Sequence, residues 1–175
     1  MTGRISRRQL ASMLVGGIVA RPGQVANAQP NRAPTASSII LSISGHIAID
    51  VVGNVATFDR ASLEAMPQHG LTTKTPWYDE AQTFTGVLVR DLLASVGSKG
   101  TNLLVVALND YTSEIPISDF QQYDVLLAVK RGGAYMPVSD KGPLFIVYPY
   151  DSDPLLRTEK YYSRSAWQVA QFIVE

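Results

Sequence analysis

Along the chain, apolar runs of strand length outnumber runs at helical spacing, and Gly, Pro, Asn or Asp separates most of them. Residues 38–43 and 55–58 are apolar, rich in β-branched or aromatic side chains, and are predicted as strands. Asp59 then stands as an N-cap for a short helix over residues 60–65, which Pro67 stops. The Thr-rich stretch 71–75 is extended, because Pro76 biases the residue before it away from helical backbone. Residues 87–96 carry apolar side chains at helical spacing with Gly97 just beyond, and predict one helix with a conventional stop. Residues 103–108 read as a buried strand that Asn109-Asp110 breaks; 115–117 resumes extended, and Ser118 caps a helical turn reaching Gln122. Residues 125–130 and 135–138 are predicted as a hairpin bending at Gly132-Gly133, followed by strands at 144–148 and 167–174. Strands dominate, helices are short and interspersed, and no repeat appears, so the predicted class is α+β, one mostly antiparallel layered domain.

The N-terminal stretch breaks this pattern. Residues 1–28 combine a basic start (Arg4, Arg7, Arg8), an apolar stretch and the small-x-small triplet Ala26-Asn27-Ala28, which is the organisation of a cleaved export signal. The apolar stretch is too short to remain as a membrane anchor, so no membrane insertion is expected after cleavage. Ser6-Arg7-Arg8-Gln9-Leu10, the modest hydrophobicity around Gly16-Gly17 and Arg21 after the core favour the twin-arginine route over an ordinary secretory signal. Residues 29–38 read as a flexible lead-in, and 39–175 as the folded domain, with the periplasm as its compartment.

Charge and composition narrow the function classes. The 175 residues suit one domain and carry 15 basic against 15 acidic side chains. Loss of the signal removes four arginines and no acid, leaving a 147-residue chain with a net charge of −4. No chain-wide basic field exists to attract nucleic acid or an anionic membrane. Cysteine is absent, which removes disulfides, thiolate nucleophiles and every thiolate-ligated metal site.

Among groups with catalytic potential, His46 and His69 read as structural histidines. Neither Gly-x-Ser-x-Gly nor a glycine-rich phosphate loop occurs. Asp151, Asp153 and Glu159 lack the ladder and glycine of a calcium loop and read as a solvated acidic loop. The aromatics are more informative: Trp77-Tyr78, Tyr111, Tyr148, Tyr150, Tyr161-Tyr162 and Trp167 cluster largely outside the predicted elements. Such a set suits a pocket for a flat heteroaromatic ligand, with rings stacking and polar groups reading its edge. It equally suits cover for sheet edges and a partner surface, and composition leaves both readings open.

The order of motifs carries a resemblance. Phe84-Thr85-Gly86-Val87 with Asp91-Leu92-Leu93, Leu108-Asn109-Asp110-Tyr111 with Ile115-Pro116, Asp124-Val125-Leu126-Leu127-Ala128, Gly142-Pro143-Leu144 with Ile146-Val147 and Pro149, and Ser163-Arg164-Ser165 before Trp167 follow one another with fixed gaps. The series resembles the sulfite-oxidase-like molybdopterin-binding domain from about Ile39 to the C-terminus. The resemblance implies that oxidoreductase members hold molybdenum through the dithiolene of molybdopterin and one cysteine thiolate shortly before the Phe-x-Gly-Val element. Here that stretch, residues 71–77, offers threonines and a lysine, which are poor ligands at a soft thiolate position.

A cysteine-free, exported version of this fold resembles the periplasmic pterin-binding proteins of the PruR type. That likeness implies binding of a pterin of the neopterin or monapterin type, without catalysis. It also implies relay of pterin occupancy to the periplasmic domain of a membrane sensor, such as one controlling cyclic di-GMP turnover. Carried over by position, the expected ligand-binding residues are Thr75, Trp77 and Tyr78, then Asn109, Asp110 and Tyr111, then Arg164, Ser165 and Trp167. No catalytic or metal-ligating residue is expected. The alternatives are a molybdopterin-dependent oxidoreductase without a protein thiolate, and an interaction domain without a small ligand.

Overall fold

Alternation of buried and exposed side chains builds the first of two sheets. Strand β1 (Ile39–Gly45) buries Leu41 and Ile43. It pairs antiparallel with β2 (Ala56–Asp59) and parallel with β10 (Val169–Val174), so the first and last strands of the domain lie side by side. Strand β10 in turn pairs antiparallel with β5 (Asn102–Ala107), and β5 with β6 (Thr112–Pro116), giving the order β2-β1-β10-β5-β6. The computed structural model describes residues 38–48 and 54–175; the predicted export signal and all of the lead-in except Ser38 lie outside the described residues.

The second sheet is antiparallel throughout. It runs β3 (His69–Thr75), β4 (Tyr78–Leu88), β7 (Leu126–Arg131) and β8 (Ala134–Tyr135), with β9 (Phe145–Val147) also pairing with β7. Gly86 sits at the register shift between β4 and β7, where a Cβ would lie 2.0 Å from the Leu127 carbonyl oxygen. Only glycine permits that approach, which gives the Phe-Thr-Gly-Val segment a steric reason. One continuous buried cluster joins Leu41, Ile43, Leu103, Val105 and Phe172 of the first sheet to Phe84, Val87, Leu127 and Phe145 of the second.

Among the described residues, four short helices fill the connections. The Asp59 carboxylate accepts the Ser62 backbone N–H at 2.7 Å and caps α1 (Arg60–Glu64). Helix α2 (Val89–Ser95) ends as its glycine predicts: Gly97 adopts φ 61°, its N–H reaches the Ala94 carbonyl, and the Ser98 N–H reaches back to Leu93. Helices α3 (Ile117–Gln122) and α4 (Glu159–Arg164) lie before β7 and β10. The class is therefore α+β, mostly antiparallel, with short helices.

The elements differ from the sequence pattern in five places, each with a physical cause. Strand β4 was not predicted, because its first half leaves both faces solvated and only its last five residues enter the core region. Val87 and Leu88 finish β4, so the helix begins two residues later than the apolar spacing suggests; no side chain caps it to mark the junction. Helix α4 has a single buried side chain, Tyr161, and so lacks an apolar stripe. At the last strand, Gln168 adopts φ 54°, which leaves Trp167 in an isolated bridge to Phe145 and starts β10 at Val169. The hairpin does turn at Gly132 and Gly133, both with positive φ, but its return strand stops at Tyr135, before Pro137 and a 3-10 turn at Val138–Asp140.

Candidate functional site

Three connections converge on one cavity of about 380 Å³. The first is the two-residue tip of the β3–β4 hairpin: Thr75 pairs with Tyr78 across the strands, which puts Pro76 and Trp77 at the turn. The second is the β5–β6 turn, where Asp110 adopts φ 62° and the Tyr111 N–H donates to Asn109 Oδ1 at 3.2 Å. The third is α4 with the segment after it, which supplies Glu159, Tyr162, Ser163, Ser165, Ala166 and Trp167.

Aromatic rings form the walls. Trp77 meets Trp167 edge to face, with ring centroids 5.4 Å apart and planes at 87°. Trp77 also packs edge-on against Phe145 at 5.4 Å and Tyr162 at 6.1 Å. Tyr111 closes the opposite side, its hydroxyl donating to the Ser163 carbonyl at 2.9 Å, where the buried Ser113 hydroxyl also donates.

Beneath Trp77 and Tyr162 the polar groups are committed. The Ser165 hydroxyl donates to the Tyr161 carbonyl at 2.8 Å, so the short contact between Ser165 and Tyr150 is donated by the Tyr150 phenol. Burial holds that phenol well above the ordinary tyrosine range. It serves as a fixed donor and not as a base.

Of the nine expected ligand-binding residues, Trp77, Asn109, Tyr111, Ser165 and Trp167 line the cavity, and Thr75, Tyr78, Asp110 and Arg164 do not. Thr75 is buried, its hydroxyl facing the Trp77 backbone N–H at 3.4 Å. Tyr78 donates to Asp140 at 3.0 Å, with the Arg131 guanidinium and the Lys141 ammonium 4.2 and 4.5 Å from its ring centroid. Burial, reinforced by the bond to Asp140, pushes its phenol up to about 12. Asp110 forms the exposed tip of its turn. The Arg164 guanidinium donates to Asp119 at 2.7 Å, and Tyr148 donates to the same carboxylate at 2.8 Å.

Sequence reasoning left Pro76, Glu159, Ser163 and Ala166 out of the site, and grouped Tyr162 with the informative aromatics without placing it among the ligand-binding residues. Glu159 was grouped with Asp151 and Asp153, but these two have other work. Asp151 accepts the Lys74 N–H and pairs with Arg157, and Asp153 caps a 3-10 turn at Pro154–Leu156. No local pattern separates Glu159 from them; only the placement of α4 does. Among the described residues, no group of three His, Cys, Asp or Glu is arranged to hold a metal ion.

A two-sheet α+β domain with an aromatic cavity among its connecting loops defines a small-ligand-binding class. The chain belongs to the oxidoreductase molybdopterin binding domain family, whose model matches residues 43–151. That match stops before residues 159–167, which build one side of the cavity. Among solved structures, the chain is similar to the sulfane dehydrogenase SoxCD from Paracoccus pantotrophus, with a TM-score of 0.58 and 18% sequence identity. The alignment covers 79% of this chain and 38% of the SoxCD chain, so the domain spans well under half of that protein. No curated protein matches the sequence.

The family implies a pterin-type ligand, and the residues present meet its parts unequally. The two indoles, Tyr162 and Asn109 suit a flat ring with hydrogen-bonding edges. The metal dithiolene finds no thiolate, since the chain has no cysteine. A phosphate finds no cation in the lining: Arg164 is paired with Asp119, and Lys141 stands 5.5 Å from the Trp167 ring centroid, outside the cavity-lining set. The cavity thus fits the ring of a pterin and not the metal and phosphate ends of molybdopterin.

Proposed function

We propose that this chain is an exported, non-catalytic pterin-binding protein of the PruR type, taking a free pterin of the neopterin or monapterin kind. The observation that carries this reading is the convergence of both tryptophans on one cavity whose lining holds hydroxyls, an amide and no cation. Such a lining can stack a neutral ring and read its edge, and at about 380 Å³ it falls within the range of small-molecule sites. In this reading the protein works in the periplasm and relays pterin occupancy to the periplasmic domain of a membrane sensor. Support for export comes from the basic, apolar and small-x-small organisation of residues 1–28.

Calorimetry of the chain lacking residues 1–28 against neopterin and monapterin tests the proposal. Saturable heat with quenching of tryptophan fluorescence is expected. No binding up to roughly millimolar ligand, the limit of about −4 kcal/mol, rejects it. The family description favours a second reading, a molybdopterin-dependent oxidoreductase. Near-stoichiometric molybdenum in protein from a cofactor-competent host would promote that reading over the first.

A further inference from the structure

Glu159 is the only ionisable carboxylate in the cavity lining, and no residue of opposite charge lines the cavity with it. It occupies the first turn of α4, and its side chain makes no hydrogen bond or ion pair with any described residue. The neighbouring acids differ: Asp151 is held by Arg157, Asp153 by the Leu155 N–H and Asp119 by Arg164. The serine oxygens of the site are more constrained. The Ser163 carbonyl already accepts two hydroxyls, the Ser163 hydroxyl donates to Lys160, and the Ser165 hydroxyl both donates to Tyr161 and accepts from Tyr150.

A ligand packed against the cavity faces of Trp77 and Trp167 therefore meets a site with one free full charge, and that charge is negative. An ionised carboxylate only accepts, through two oxygens side by side. Its best match is a pair of parallel N–H donors on one planar edge. Asn109 stands apart from it on the β5–β6 turn; with its Oδ1 bound to Tyr111, its amide N–H group remains to meet a ligand carbonyl. We propose that Glu159 anchors the ligand by accepting two N–H groups from a 2-amino-pyrimidinone edge, and so sets the specificity of the cavity. This rests on the pterin-binding reading and deepens it. The same carboxylate disfavours phosphorylated forms of the ligand by like-charge repulsion in a lining without a cation.

The test compares neopterin with the lumazine that bears the same side chain, in which the 2-amino donor is replaced by a carbonyl acceptor. Affinities are read by fluorescence quenching for the wild type and for Glu159→Gln, a change at an exposed position. Wild type is expected to prefer neopterin by about tenfold or more, the worth of a hydrogen bond to a charged group. Glu159→Gln should weaken neopterin by a similar factor, leave the lumazine nearly unchanged, and so abolish most of the discrimination. A merely structural role for Glu159 would weaken both ligands alike. Equal binding of both ligands by wild type, or unchanged neopterin affinity in the variant, overturns the assignment while leaving pterin binding intact. Failure of wild type to bind either ligand overturns the two readings together.

Discussion

Trp77 and Trp167, ninety residues apart in sequence, meet edge to face at 5.4 Å in the cavity wall and are the chain's two tryptophans. All of the intrinsic indole fluorescence therefore reports on one site. A bound flat ring should quench it, and Trp77→Leu or Trp167→Leu should each weaken neopterin binding about two- to tenfold. That factor corresponds to the ~0.5–1.5 kcal/mol of one aromatic contact beyond area burial. Titration by fluorescence of the remaining tryptophan measures it; unchanged affinity in both variants would place the ligand elsewhere.

Arg164 is expected to act on stability and not directly on the ligand. Its side chain is 16% exposed and that of Asp119 10%, and the pair ties α4 to α3. Removing one partner strands a mostly buried charge, so Arg164→Ala and Asp119→Ala should each cost about 3–5 kcal/mol in denaturant unfolding. Binding capacity per folded molecule should persist in Arg164→Ala. Lost affinity with unchanged stability would return Arg164 to the ligand's list of contacts.

Tyr78 makes the stability of the domain alkali-sensitive. Its phenol rises from 10.0 to about 12 in the fold because burial and Asp140 disfavour the phenolate. A raised folded value means that the stabilisation is complete below pH 10 and is lost as pH climbs through 12. Tyr148 and Tyr150 are shifted in the same direction, by burial first and by Asp119 in addition for Tyr148. The phenolate absorbance of these three tyrosines should therefore appear only with alkaline unfolding. Tyr78→Phe should flatten the pH 10–12 part of the stability profile; an unaltered profile would contradict the assignment.

How far the sequence reached can be judged from particular residues. Asp59 and Gly97 announced the start of α1 and the end of α2 because capping is local chemistry, readable over four or five residues. Strand β4 escaped because half of it has no buried face, and α4 because one buried tyrosine sets no period. In the site, the aromatics on the hairpin tip and after α4 were nameable from motif order. Tyr78 and Arg164 were not separable from them, since their partners Asp140 and Asp119 lie 62 and 45 residues away. Glu159 shows the same limit from the other side: a carboxylate at a helix start looks merely solvated until the fold places it in one cavity lining with two indoles.

The Tyr150–Ser165 bond allows a prediction that separates the two ends of one hydrogen bond. The Ser165 hydroxyl spends its proton on the Tyr161 carbonyl, so the Tyr150 phenol must donate to Ser165. Tyr150→Phe removes the donor and leaves the serine oxygen with one bond still made, a loss of about 0.5–1.5 kcal/mol. Ser165→Ala instead leaves a buried phenol without an acceptor and the Tyr161 carbonyl without this donor, and should cost more, about 1–3 kcal/mol for the stranded group alone. Urea unfolding of the two variants fixes the order. A Tyr150→Phe loss as large as that of Ser165→Ala would mean that the proton runs the other way, with Ser165 donating to a phenol that the fold leaves free to accept.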